Sequence, residues 1–132
     1  MINIIKNFLS EEESNNYINF HKNFYDDTKY NCFLHRETKV LDCMGLENKP
    51  LIKLMYYKLL DLGEKIDKKL TINYFQIVEW PMNESQDEHL DFPQHPYTSI
   101  IYLNDDFEGG ETIVKNQTYK PIKNSLISFE GN

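Results

Sequence analysis

The pattern of apolar and polar positions changes from a helical period in the first half of the chain to a strand period in the second half. Residues 1–8 form a short extended segment before a helix that we predict over about residues 11–25. Ser10 is its expected N-cap, and Glu13, three positions later, completes a capping box. Aromatic residues recur at helical spacing and predict a face packed in the core: Tyr17, Phe20 and Phe24.

A second helix is predicted after an extended segment over residues 33–43. Asn48 is its expected N-cap, and Pro50 lies near the first turn, where proline is tolerated. Apolar residues then recur at helical spacing: Leu51, Leu54, Met55, Leu59, Leu62 and Ile66. Because lysines occupy the opposite face, we expect this helix to pack its apolar side against a sheet.

The remainder of the chain is rich in β-branched and aromatic residues, which are typical of strands. Gly109 and Gly110 are expected to allow a tight turn with positive φ angles. The predicted strands cover residues 70–80, 98–103, a continuation from Glu111, and 125–129. Two helices followed by several short strands predict an α+β or mainly β fold, a sandwich or barrel buttressed by helices.

Composition narrows the class of protein. With 132 residues, the chain is expected to form a single domain, 1–132. The formal charge of −7 and the single arginine, Arg36, argue against nucleic-acid or anionic membrane partners. The acidic N-terminal segment does not resemble a secretory signal, and no stretch approaches the roughly 18 apolar residues of a membrane span. We therefore expect a cytoplasmic protein.

The two cysteines do not indicate a disulfide framework or a zinc site. Cys32 and Cys43 lie eleven residues apart, and the chain has no CxxC motif. We interpret both as reduced, partly buried thiols.

The segment EHLDFPQHPYTSIIYLND, residues 88–105, contains the strongest candidate for chemistry. In an extended chain, His89 and Asp91 project to the same side, where an imidazole and a carboxylate converge. Such mixed ligation with open positions is the chemistry of non-haem Fe(II), and zinc is the main alternative. A His-x-Asp pair alone is weak evidence, because two solvated residues at a loop edge would look the same.

The order of motifs makes the hypothesis more specific. Trp80, His89-Leu90-Asp91, TSIIYLND, FEGGET and NSLISFEG follow one another as in the catalytic half of a known family. Over essentially its whole length, the chain resembles the Fe(II)- and 2-oxoglutarate-dependent dioxygenases of the prolyl 4-hydroxylase type. The resemblance implies a double-stranded β-helix, or jelly roll, supported by the two N-terminal helices.

The resemblance also implies roles for individual residues. His89 and Asp91 would ligate Fe(II), and Tyr102 would hydrogen-bond the distal carboxylate of 2-oxoglutarate, although a core aromatic is the alternative. By alternation, Thr98, Ile100 and Tyr102 share one face of their strand. Trp80 matches a position that often faces the pocket in relatives, with a core tryptophan as the alternative. O2 is the co-reactant, ascorbate a supporting reductant, and a peptidyl-prolyl or similar residue the expected substrate.

The chain departs from the family pattern after its last predicted strand. Relatives carry a distal histidine ligand there, and then a lysine or arginine that pairs with 2-oxoglutarate. Neither follows NSLISFEG in the 132 residues, and we assign His95 to the loop rather than to the metal site. We therefore expect a C-terminally incomplete domain, with its last strands missing, that is inactive as it stands. The alternative is a jelly-roll binding module or pseudoenzyme without oxidation chemistry.

Overall fold

The computed structural model describes residues 2–67, 70–81 and 97–130. Their contacts group into two compact units, the first from Met1–Ile18 and Ser85–Asn132 and the second from Asn19–Glu84. In chain order the described elements are β1 (Ile2–Ile5), α1 (Glu11–Phe24), β2 (Cys32–His35), β3 (Thr38–Asp42), α2 (Pro50–Ile66), β4 (Gln76–Glu79), β5 (Tyr97–Ile101), β6 (Thr112–Val114), β7 (Gln117–Tyr119) and β8 (Leu126–Glu130).

The first unit contains an antiparallel sheet in the order β1-β8-β5. Its register places Ile4 and Ile100 opposite Ile127 of the central strand, so these three side chains share one face. Leu126 and Ile127 are almost fully buried. The predicted strands at 98–103 and 125–129 are thus confirmed, and their bounds differ from the observed ones by one or two residues at each end.

The start of α1 follows the predicted capping box. The Ser10 amide donates to Glu13 Oε1 at 2.9 Å, and the Glu13 amide donates to Ser10 Oγ at 3.1 Å. The same end of the helix is tied to the segment before β8, because Ser14 Oγ donates to Asn124 Oδ1 and the Leu9 amide donates to the Asn124 carbonyl. Local capping and a distant contact therefore fix this end of the helix together.

The segment before β8 contains a hairpin, β6-β7, of which only the first strand was predicted. Lys115 and Asn116 form its two-residue turn with φ angles of 50° and 66°. Two consecutive positive φ angles match the hairpin turn whose twist suits antiparallel strands. Gly109 and Gly110, with φ angles of 83° and 72°, confirm the predicted turn before β6.

The second unit contains an antiparallel sheet in the order β2-β3-β4. The extended segment predicted over residues 33–43 is a hairpin, which turns at Arg36 with a φ of 58°. The strand predicted over 70–80 is shorter than expected, because only Gln76–Glu79 pairs with β3.

The second helix begins one residue later than predicted. Its N-cap is Lys49, which makes no side-chain capping bond, so the expectation of Asn48 was wrong. Ile52 and Met55 are its buried residues, whereas Leu54 is 47 % exposed. The buried face of α2 is therefore rotated relative to the predicted apolar face. The helix is so rich in apolar residues that spacings of three and four residues fit the observed face as well as the predicted one.

The described residues thus form a mixed α/β protein with antiparallel sheets and two helices, as the coarse prediction stated. They contain no closed barrel. None of the described helices is both long and apolar enough to cross a membrane. Cys32 and Cys43 are free thiols, as predicted.

Candidate functional site

The two predicted metal ligands, His89 and Asp91, lie outside the described residues, and so does His95. Their role stays a prediction. Within residues 2–67, 70–81 and 97–130, no three histidine, cysteine, aspartate or glutamate side chains are grouped to hold a metal. His21, which is described, is buried in the second unit, with Nε2 3.1 Å from the Lys39 carbonyl oxygen.

Tyr102, the predicted cosubstrate residue, follows β5 directly and continues its pairing with the segment before β8. Its amide donates to the Ser125 carbonyl at 3.0 Å, and its carbonyl accepts from the Asn124 amide at 2.8 Å. Its half-buried hydroxyl is hydrogen-bonded to the Thr112 hydroxyl of β6. Both the backbone and the side-chain tip of Tyr102 are therefore held in place.

The electrostatic environment keeps Tyr102 neutral. Burial raises the pKa of its phenol above the ordinary 10.0, and the hydrogen bond with Thr112 opposes this rise in part. The phenol is therefore protonated at neutral pH and can donate a hydrogen bond to an anion.

Tyr102 lines a cavity of about 180 Å³ in the first unit. The lining residues are Ile4, Tyr102, Thr118, Tyr119, Lys120, Ile122, Ser125 and Ile127. Ile4 and Ile127 come from the sheet face that Ile100 shares, and by alternation Tyr102 continues that face. Thr98 and Ile100, which share the face in the prediction, are not among the lining residues.

The cavity is lined mainly by apolar surface, with a few polar side chains among its lining residues. Of its described lining residues, Lys120 carries the only formal charge, and it follows β7 directly. Four other lining residues carry hydroxyl groups: Tyr102, bonded to Thr112; Tyr119, which donates to Gln117; Thr118; and Ser125. Ser125 Oγ donates to the Ile122 carbonyl at 2.5 Å, which leaves its oxygen able to accept another hydrogen bond.

Trp80, the other predicted contact residue, belongs to the second unit and follows β4 directly. Its side chain is 48 % exposed, so it is not the core tryptophan that was the alternative. A contact between Trp80 and cosubstrate or substrate stays a prediction.

Two residues of the site, Thr112 and Lys120, were missed by sequence reasoning. Thr112 follows the Gly109–Gly110 turn. The alternation of polar and apolar residues along ETIV predicts that it lies in a strand but does not indicate its contact with Tyr102. Lys120 follows a strand of three residues, which is too short to give a periodic signal. The signal that could have located both is the Lys-Asn turn, since asparagine is enriched at positive φ and predicts a hairpin there.

Comparison of the chain with protein-family models, with curated proteins and with solved structures finds no match.

Proposed function

We propose that the chain is a non-haem Fe(II)- and 2-oxoglutarate-dependent oxygenase of the prolyl 4-hydroxylase type, built on a jelly roll. The observation that carries the proposal is the setting of Tyr102. The residue expected to contact 2-oxoglutarate is neutral, held by Thr112, and lines a cavity on its predicted strand face. The antiparallel sheets of both units are compatible with the proposed fold.

The donor set of the proposed centre suits Fe(II). His89 would supply a neutral nitrogen and Asp91 a carboxylate oxygen, and a ferrous ion accepts both while keeping positions open. Iron bound there would supply the activation of O2. The protein residues would orient the cosubstrate and exclude water from it.

The proposed reaction takes 2-oxoglutarate, O2 and a substrate C–H bond to succinate, CO2 and a hydroxylated substrate. One oxygen atom enters succinate and the other enters the substrate. Tyr102 would hold the distal carboxylate of 2-oxoglutarate, and Trp80 would contact cosubstrate or substrate. A peptidyl-prolyl residue is the proposed substrate class by resemblance, and a fold alone does not select a substrate.

Metal binding gives the first prediction. Fe(II) affinity, measured anaerobically by competition with a chromophoric chelator, should fall at least about 10- to 100-fold in His89→Ala or Asp91→Ala, the loss typical even of an outer partner. Saturating 2-oxoglutarate should raise the affinity of the unaltered chain, since a ligand of the same metal must be coupled to it. His35→Ala, in β2 of the second unit, is the matched control and should leave the affinity unchanged.

Succinate release under air with Fe(II) and ascorbate separates the alternatives. With His89 and Asp91 as its protein ligands, the 132-residue chain should form little or no succinate, and either alanine variant should abolish any that is measured. Fast turnover that is lost in His95→Ala would identify His95 as a third ligand. A chain that binds no Fe(II) through His89 and Asp91, and forms no succinate, would contradict the proposal and favour a binding module.

A further inference from the structure

The outer edge of β2, in the second unit, has no pairing strand among the described residues. The sheet order β2-β3-β4 places β2 at an edge. Three consecutive residues of this strand are exposed, Phe33, Leu34 and His35, and the strand contains no acidic residue, lysine, arginine or proline. Proteins commonly protect an edge with charged side chains or proline, because its free backbone groups can pair with another strand. Neither device is present in β2.

The pairing of β2 with β3 determines which backbone groups are left at the outer edge. The hairpin turns at residues 36–37, and at its other end the Asp42 amide donates to the Asn31 carbonyl at 2.9 Å. Hydrogen-bonded pairs alternate along an antiparallel ladder, so every second residue from Asn31 directs its backbone groups toward β3. The amide and carbonyl groups of Cys32 and Leu34 therefore point outward.

We propose that this edge pairs with the same edge of a second copy of the chain, which joins their β2-β3-β4 sheets into one. A two-fold axis makes the two β2 strands antiparallel. In the register centred on Phe33, Cys32 of each copy lies opposite Leu34 of the other, so the outward groups of both residues are bonded. A register centred on Cys32 or on Leu34 would bond only one of them within the strand. The inference does not depend on the proposed oxygenase activity.

The side chains along this edge also suit a second copy. Phe33 would lie directly opposite Phe33 of the second copy, in a non-hydrogen-bonded pair, where side chains are closest and an aromatic pair stabilises a sheet. Beyond the strand, the same antiparallel order brings Glu37, in the turn, toward Lys29 of the second copy, and both are exposed. The edge therefore offers opposite charges at its two ends, although each chain carries a net charge of −7.

The length of the strand sets the strength of the contact. β2 has four residues, so the edge contributes a small interface compared with the roughly 1,200–2,000 Å² that stable complexes bury. The dimer should therefore be in reversible equilibrium with the monomer. Sedimentation velocity of the whole chain over a concentration series should show an average sedimentation coefficient that rises with concentration. Salt at about 0.15 M reduces the repulsion between the acidic copies.

Two variants at the centre of the register test the two-fold pairing. Phe33→Lys and Phe33→Glu each place like charges directly opposite one another, so each should weaken self-association at least about fivefold. An equimolar mixture of the two variants should regain association, because the introduced charges are then of opposite sign. Leu34→Lys, at a side chain that is 61 % exposed, places a charge on the same edge and should also weaken association.

Ile113, which is 68 % exposed in β6 of the first unit, provides the matched control. Ile113→Lys and Ile113→Glu make the same changes of charge on an exposed strand and should associate like the unaltered chain. Circular dichroism and urea unfolding report whether each variant is folded. The proposal is overturned by an unaltered chain that stays monomeric, by a mixture of folded Phe33 variants that does not associate, or by Ile113 variants that lose association equally.

Discussion

Tyr102 and Cys43 are both buried enough to raise their pKa values, yet their neighbours give them different properties. Thr112 is hydrogen-bonded to the hydroxyl of Tyr102, and Tyr102 lines a cavity. The Cys43 thiol makes a long contact, 3.7 Å, to the Leu41 carbonyl, interacts with the backbone of Ile77, and lies in the core. Burial therefore leaves a usable donor in the first case and an inert side chain in the second.

Removing the partner of Tyr102 should change its titration. Because the hydrogen bond with Thr112 lowers the pKa of Tyr102 and burial raises it, Thr112→Val should raise that pKa further above 10.0. The measurement is a pH titration followed by NMR of ¹³Cζ-labelled tyrosine. Thr118→Val, which alters another residue of the cavity lining, is the control. An unchanged Tyr102 pKa in Thr112→Val would show that the hydroxyls do not interact in solution.

The thiols should differ in reactivity. Burial, assisted by the charge of Asp42, raises the pKa of Cys43 to about 12, so its thiolate is scarce at pH 8. Iodoacetamide should therefore modify the partly exposed Cys32 in the folded protein and Cys43 only after unfolding in urea. Mass spectrometry of the Cys32→Ser variant provides the check. Labelling of its Cys43 before unfolding would contradict the buried position.

The elements of the fold show how far local signals extend. The Ser10–Glu13 capping box was predictable because both hydrogen bonds join residues three positions apart. The start of α2 was misplaced because Lys49 caps it without a side-chain bond, so no residue type marks the position. The hairpin β6-β7 and the position of Lys120 in the cavity depend on strand pairing, which an isolated three-residue segment does not encode.

Replacing Gly110 or Gly63 by alanine should change the free energy of unfolding in opposite directions. Gly110→Ala should lower the free energy of unfolding by about 1 kcal/mol or more, since the residue has a φ of 72° and a new Cβ would lie 2.7 Å from Phe107 Cε2. Gly63→Ala should raise it by about 0.5–1 kcal/mol, because Gly63 is helical and its Cβ would meet Leu70 at an ordinary 3.7 Å. Urea denaturation measures both, and equal effects would contradict the backbone argument.

At the scale of the whole molecule, an ion pair connects residues far apart in the sequence. Lys123 Nζ lies 2.5 Å from Glu11 Oε1 in the first turn of α1. The hydrogen bond from Lys123 holds the pKa of Glu11 below the ordinary 4.5. A carboxyl group with a lowered folded-state pKa stabilises the fold above its unfolded-state pKa. That contribution is lost as the pH falls through the folded-state value.

Glu11→Gln should therefore be less stable than the unaltered protein at pH 7, and the difference should disappear as the pH falls below 4.5 toward the folded-state pKa. Urea unfolding at a series of pH values from 7 to 3 gives the comparison. Glu12→Gln, which removes a charge from the same helical turn, is the matched control for the helix dipole. A gap between Glu11→Gln and the unaltered protein that does not shrink at all between pH 7 and pH 3 would exclude the ion pair as its cause.

The strand order β1-β8-β5 also bears on how the protein is synthesised. β8 is the central strand, yet it follows both of its partners in the chain, and Ile2 pairs across to Phe129. While the polypeptide leaves the ribosome, β1 and β5 have no β8 to pair with, whereas the second unit, Asn19–Glu84, is contiguous and emerges complete. Closing the long loop between β1 and β8 is slow, and the waiting edges can pair with other chains. We therefore expect the yield of folded protein to depend on how quickly β8 is synthesised after β5.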